Sequence, residues 1–345
     1  MAFKFCDGFD HYAATGVKGA TLEQYLTANG YTVRNASDAT FAVADGRRAG
    51  ARALQFTVAR NSSTNASLSW GYTLGTATYT CFGFAMNASG SRMRICRIEN
   101  VVDIDWDATT GKISVGGELG LNPLILNAWY YFEVECDFTA KTVKIWANNE
   151  LQLTVDISSV STPAVATIVW GQVGTAPDAG VQLLDDFYVI DGTGSKNNAR
   201  LNPVEVTTRA PSADITAEWS IIANGASPVP TTHWSVVSQL EPNAANKPYL
   251  QSNTAGATDL YRSNAVLPTN NQVFAVSIIA YARKGDVDDR KIGLLVQPEG
   301  GAASETQLTL TESYKYYQAT FESVPGGGDW NQNTVEALQF GIRTR

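Results

Sequence analysis

The chain alternates apolar and polar positions in short runs from end to end, the period-two pattern of half-buried strands. ALQFTV (Ala53 to Val58), YTCFGFAM (Tyr79 to Met86), VVDIDW (Val101 to Trp106) and KISV (Lys112 to Val115) are each brief and bounded by Gly, Asn, Asp or Thr. That spacing predicts antiparallel sandwiches rather than βαβ units. Two hairpins are expected. VVDIDW turns back into KISV through DATTG, and KTVKIWANNELQLTVD (Lys141 to Asp156) turns at Asn148-Asn149, residues that tolerate positive φ. The one helical pattern of note is TLEQYLTANG (Thr21 to Gly30), with Thr21 as cap and Asn-Gly as stop.

The pattern changes after residue 191. GTGSKNNARLNPVEVTTRAPSADITAEW (Gly192 to Trp219) is rich in Gly, Asn, Pro, Ser and Thr and lacks apolar periodicity, the composition of a connector beside the first domain. The expected division is a β-sandwich over 1–198, a linker over 199–217 and a second β-sandwich over 218–345. In the latter, VFAVSIIAYAR places Phe274, Val276, Ile278, Ala280 and Ala282 on one face, and KIGLLVQ, TQLTLT, YKYYQATFE and VEALQFGIR follow at regular spacing.

Composition narrows the function classes. A chain of 345 residues can bury two cores. A net charge of −8, with 25 basic and 33 acidic residues and no long runs, excludes a nucleic-acid surface, which needs clustered Lys and Arg. AFKFCDGFD after Met1 lacks the apolar core of a signal peptide, and no window approaches the ~20 apolar residues of a membrane span, so synthesis in the cytoplasm and no membrane partner are expected. Cys6, Cys81, Cys96 and Cys136 sit singly in strand-like runs without CxxC spacing, and the chain has two histidines, His11 and His233. Reduced thiols and no zinc site follow.

Three acidic stretches carry the candidate chemistry. In LLDDFYVIDGTGSKNN (Leu183 to Asn198), a regular strand sends Leu183, Asp185, Phe187 and Val189 one way and Leu184, Asp186, Tyr188 and Ile190 the other, so one of Asp185 and Asp186 faces the core. A buried carboxylate needs donors or a cation. FKFCDGFDHY (Phe3 to Tyr12) offers Asp7 and Asp10. In YYFEVECDF, Glu133, Glu135 and Asp137 alternate with Phe132, Val134, Cys136 and Phe138, the pattern of a solvated face over an apolar one. Glu133 and Glu135, about 7 Å apart at Cα, are also a candidate acid pair for glycoside hydrolysis. Trp106, Trp129 and Trp146 are expected in the core and His11 at a surface turn. TGSKNNARLNP lacks the Gly-Lys-Ser order of a phosphate cradle.

The order DGFDHY, GRRAGARALQF (Gly46 to Phe56), NAWYYFEVECDF (Asn127 to Phe138), KTVKIWANNELQLTVD and LLDDFYVIDGTGSKNN resembles the laminin-G or concanavalin A-like sandwich of tailed-bacteriophage virion proteins, over about residues 1–200. ATDLYRSNAVLP (Ala257 to Pro268), AVSIIAYARKGD (Ala275 to Asp286) and DWNQNTVEALQFGIR (Asp329 to Arg343) are similar to landmarks of the second β domain of such proteins. The resemblance implies an all-β fold of two jelly-roll-like sandwiches. It also implies first and last strands that neighbour each other, so that Asp7 or Asp10 meets Asp185 or Asp186 with turn donors such as Gly8; bound Ca²⁺ is the alternative. It further implies a non-enzymatic virion structural protein on the exterior of the head, neck or tail. Its partners would be capsid, neck or tail proteins, further copies of itself and, weakly, a cell-surface glycan. No catalytic, cofactor-binding or metal residue is assigned. The alternatives are a glycan-binding receptor-recognition module and a glycanase using Glu133 and Glu135. The Glu-x-Glu-x-Asp order departs from the Glu-x-Asp-x-Glu of laminarinase-like glucanases.

Overall fold

The structure, a computed structural model, describes residues 2–90, 93–171, 179–241, 246–264, 266–267 and 271–345. Ala265 and Pro268 of the ATDLYRSNAVLP run lie outside these. The fold is all-β, and the chain divides into two compact units, Met1–Thr207 and Thr208–Arg345.

The first unit is a sandwich of an eight-stranded and a seven-stranded sheet. In the larger sheet the long strand Gly180–Asp191 runs beside Tyr79–Ala88, which in turn pairs with Trp129–Asp137. On its other side, Gly180–Asp191 pairs first with Arg52–Val58 and then with Phe3–Asp7. Alternation supplies the interior: Phe5, Phe84 and Phe187 of this sheet meet Trp70 and Trp170 of the other, with Phe5 stacked on Trp70 at 4.6 Å and Trp170 edge-on to Phe187 at 4.6 Å. Burying rings of this size contributes more to the fold than any other side-chain type. Both expected hairpins form. Val102–Trp106 pairs with Lys112–Val115, and Thr142–Ala147 pairs with Glu150–Asp156 across Asn148 and Asn149, whose φ values are 47° and 70°.

The helix spans Gly19–Ala28 and starts two residues before Thr21; Lys18 occupies the cap position without a side-chain bond. Thr21 is thus not the cap. Asn29 ends the helix and turns its amide inward to Asp7. No disulfide joins the cysteines; Cys81, Cys96 and Cys136 are buried thiols and Cys6 is half-buried.

The second unit packs a five-stranded sheet against the two-stranded sheet of Val276–Ala282 and Lys315–Phe321. Val276, Ile278, Ala280 and Ala282 do share the core face, where they join Tyr317, Ala319 and Phe321 against Ile292, Leu294, Val296 and Trp330. Phe274 precedes the strand. A short helix, Gln332–Glu336, is closed by a capping box between Asn331 and Thr334. Among the described residues, no helix is long and apolar enough to cross a membrane.

Candidate functional site

The expected solvated face of Glu133 and Glu135 is corrected by the structure. Glu133 is fully buried, because residues 200–206, expected in the linker, fold across the outer face of the large sheet instead. Its carboxylate accepts from the Tyr188 hydroxyl at 2.7 Å and from the Arg200 guanidinium at 2.6 Å. Burial pushes the Glu133 carboxyl upward, and Tyr188 and Arg200 pull it back. Arg200 also lies 3.9 Å over the Trp146 ring, so Trp146 stands on the outer face rather than in the core. Glu135 is half-buried and accepts from Trp146 Nε1 at 2.9 Å and Tyr79 at 3.1 Å. Both acids are therefore engaged by their own chain. Leu201 and Val204 are buried in the same cover, which is why an Asn- and Pro-rich stretch belongs to the first unit.

The aspartates depart from simple alternation. A bulge between Asp185 and Tyr188 inserts a residue, and Asp186 takes a φ of 51° there, so Asp185 and Asp186 are both buried. Phe187 still reaches the interior while Tyr188 faces out to Glu133. Asp186 is held by Arg47 at 2.7 Å, Arg48 at 3.1 Å and the amide of Val206 at 2.8 Å. Asp185 accepts from the amides of Arg47 at 2.9 Å and Asp186 at 2.7 Å, and is pushed up to about 7, chiefly by burial and then by the charge of Asp186.

Strand Phe3–Asp7 does neighbour Gly180–Asp191, but the two acidic sets find separate partners. Asp7 accepts from the Phe9 amide, Tyr12, Tyr31 and Asn29, and Asp10 from the Arg52 amide at 2.7 Å. Turn backbone contributes as expected, through Phe9 rather than Gly8. His11 is not a surface residue: its side chain is 13% exposed and its ring packs on Tyr12 at 4.1 Å. Burial lowers its pKa. Among the described residues, no group of three or more His, Cys, Asp or Glu side chains could hold a metal ion.

The described residues of the second unit hold a comparable polar knot and a cluster of half-buried tyrosines. Asp259, fully buried, accepts from the amides of Glu218 and Trp219 and from Tyr261, and lies 2.6 Å from His233 Nδ1. On the two-stranded sheet, Tyr281 stands opposite Tyr316 and Ile279 opposite Gln318, on the side away from the core residues. The rings of Tyr281 and Tyr314 stack at 5.0 Å with 4° between their planes, and Tyr316 adds a third ring 4.7 Å from Tyr281. Arg283 lies 4.8 Å over Tyr314. The sequence reading missed this face. Its signal is the alternation Tyr314-x-Tyr316-x-Gln318 on a strand whose other side already carries the apolar set.

Geometry thus defines an all-β protein of paired sheets with a tyrosine-lined outer face. No family model matches the chain, and no curated protein matches it. Solved structures with similar sheets include an alginate lyase from polysaccharide lyase family 7, 13% identical over 49% of this chain and 97% of that one, with a TM-score of 0.37. Domain 4 of a GH43 extracellular arabinanase from Geobacillus stearothermophilus, solved with arabinotriose, is 14% identical over 47% and 82%, with a TM-score of 0.34. The binding domain of Paraclostridial Mosquitocidal Protein 1 is 10% identical over 100% and 92%, with a TM-score of 0.37. These proteins lend nothing to the resemblance to virion components. They also correct the expectation of a non-enzymatic protein: alginate lyases stand among the similar structures, so the exclusion of catalysis is withdrawn.

Proposed function

We propose that the protein recognises glycans through the tyrosine face of its second unit. One observation carries this reading: Tyr281, Tyr314 and Tyr316 cluster on the outside of a strand pair whose inside already fills the core. A sugar gains from such rings, because its C–H faces lie flat on aromatic surfaces. The virion role implied by the sequence resemblance draws no support from this face and is not part of the proposal.

Affinity electrophoresis of the whole chain through gels containing single polysaccharides tests it. At least one polysaccharide is expected to retard the protein. Tyr281→Ala and Tyr314→Ala should each weaken that binding by about tenfold, the loss of one stacked ring, in variants whose circular dichroism shows the fold retained. Retardation that survives both substitutions overturns the reading, as does a panel of plant, animal and bacterial polysaccharides with no retardation at all.

A further inference from the structure

We infer that the protein pairs with a second copy of itself through an aliphatic patch at the end of the seven-stranded sheet, formed by Leu119, Leu121, Ile125 and Leu126. Among the described residues of the first unit, six large aliphatic side chains are exposed, and four of them fall in this one stretch. Leu121 is 58% and Ile125 70% exposed. Single residues of this kind scattered over a surface need no explanation, whereas a run of them marks a contact. The inference is independent of the glycan reading, which concerns the other unit.

The stretch is held in place before any partner arrives. Strand Glu118–Pro123 pairs with Lys112–Val115 as the last strand of its sheet. Gly120 faces inward, since a Cβ on it would stand 3.3 Å from Ile113, so Leu119 and Leu121 share the opposite, outer side. Beyond the strand, the amide of Leu124 donates to the carbonyl of Gly111 at 2.7 Å, that of Ile125 to the Tyr130 hydroxyl at 2.9 Å and that of Asn127 to the carbonyl of Ala88 at 2.8 Å. A surface fixed in this way loses little freedom on docking. The sheet edge itself is closed at Asn122, whose amide donates to Gln152 Oε1 at 3.0 Å, and Pro123 has no N–H to offer. A partner therefore packs on the side chains rather than extending the sheet.

Charge and area point to a second copy. From Leu119 to Phe132 the chain carries no Asp, Glu, Lys or Arg. Glu118 is exposed at one end of the strand, and Lys112 stands opposite Pro123 at the other. Asp105, in the same row of the outer face as Leu119 and Ser114, is engaged by Arg94 at 3.0 Å. A chain of net charge −8 repels its own kind, so two copies meet most readily where uncharged side chains face each other. Antiparallel docking about a two-fold axis achieves this and also sets the Glu118 end of each copy toward the Lys112 end of the other. The four side chains expose on the order of 400 Å² of apolar surface. An interface of standard size takes about 800 Å² from each partner, roughly half of it apolar, so the patch supplies the apolar share of one. Lys112 alone lends too little positive charge to favour an anionic membrane.

Sedimentation equilibrium of the whole chain from about 1 μM to about 200 μM tests the inference. A reversible dimer is expected. Leu121→Asp and Ile125→Asp, both at exposed positions, should each weaken it by about tenfold or more, because the two-fold brings two new carboxylates into a surface taken from water, in variants whose circular dichroism shows the fold retained. Val287→Asp, at an exposed apolar position of the second unit, should leave the dimer unchanged. A chain that stays monomeric throughout the range overturns the inference, whether or not it binds phosphatidylcholine vesicles or another protein. So does a dimer that both Leu121→Asp and Ile125→Asp keep at the parental strength.

Discussion

Arg200 lies across the ring of Trp146, its guanidinium carbon 3.9 Å from the ring centre, and from there reaches Glu133 at 2.6 Å. One side chain from a stretch without regular structure thus pins two residues of neighbouring strands and shields a carboxylate from water. Removing one partner of such a buried pair strands the other charge.

Arg200→Ala should therefore cost about 3 kcal/mol in urea unfolding, and a paired replacement, Arg200→Met with Glu133→Gln, should recover most of it. If the single substitution shifts the midpoint no more than a typical surface change, Glu133 is being solvated and the cover over the sheet is loose.

Asp185 makes stability depend on pH. Its folded pKa of about 7 exceeds the unfolded value of about 3.9. Between those values the folded chain therefore holds a proton that the unfolded chain has released. The contribution is full below about pH 4, declines as pH rises and is lost above about 7. Asp185→Asn lacks this dependence, so its deficit relative to the parent chain should shrink from pH 4.5 to pH 8. A deficit constant across that range, measured by urea titration at several pH values, would contradict the assignment.

Gly83 is required by close approach. A Cβ there would stand 2.4 Å from the Tyr188 ring and 2.9 Å from the Tyr131 ring. Gly83→Ala should cost about 1–3 kcal/mol through overpacking and alter the near-ultraviolet dichroism of the tyrosines. A fully stable variant with an unchanged spectrum would show that Tyr188 can move without disturbing Glu133.

Asp259 gathers donors from three parts of the second unit. In Asp259→Ala the amides of Glu218 and Trp219 and the Tyr261 hydroxyl lose their acceptor, at a cost of about 3 kcal/mol. Hydrogen exchange at those two amides should accelerate more than elsewhere in the unit. Exchange that rises uniformly would point to global loosening instead.

Much of the fold was legible because alternation reports burial directly. The runs at Ala53, Tyr79 and Val273 became strands, and Asn148-Asn149 became a turn because few other residues accept positive φ at both positions. The site was less legible, and for one recurring reason. Alternation says which residues share a face but not what later covers that face, so Glu133 read as solvated until Arg200, from a stretch with no periodicity of its own, was seen to lie on it. At Asp186 a single inserted residue defeated the count of two. Tyr281 and Tyr316 were hidden differently: their strands were read for the face that builds the core, and the other face was not read at all.

Pairing between Phe3 and Ile190 has a consequence for how the molecule comes into being. The strand Phe3–Asp7 has its partner almost at the far end of the first unit, so it waits until Phe187–Ile190 have been made before it can dock. Their sheet cannot be completed during synthesis of the early strands. Contacts of such long sequence separation place the first unit among slow folders, and the hydrophobic strands made early, Arg52–Val58 and Tyr79–Ala88 among them, spend that interval without the neighbour that shields them.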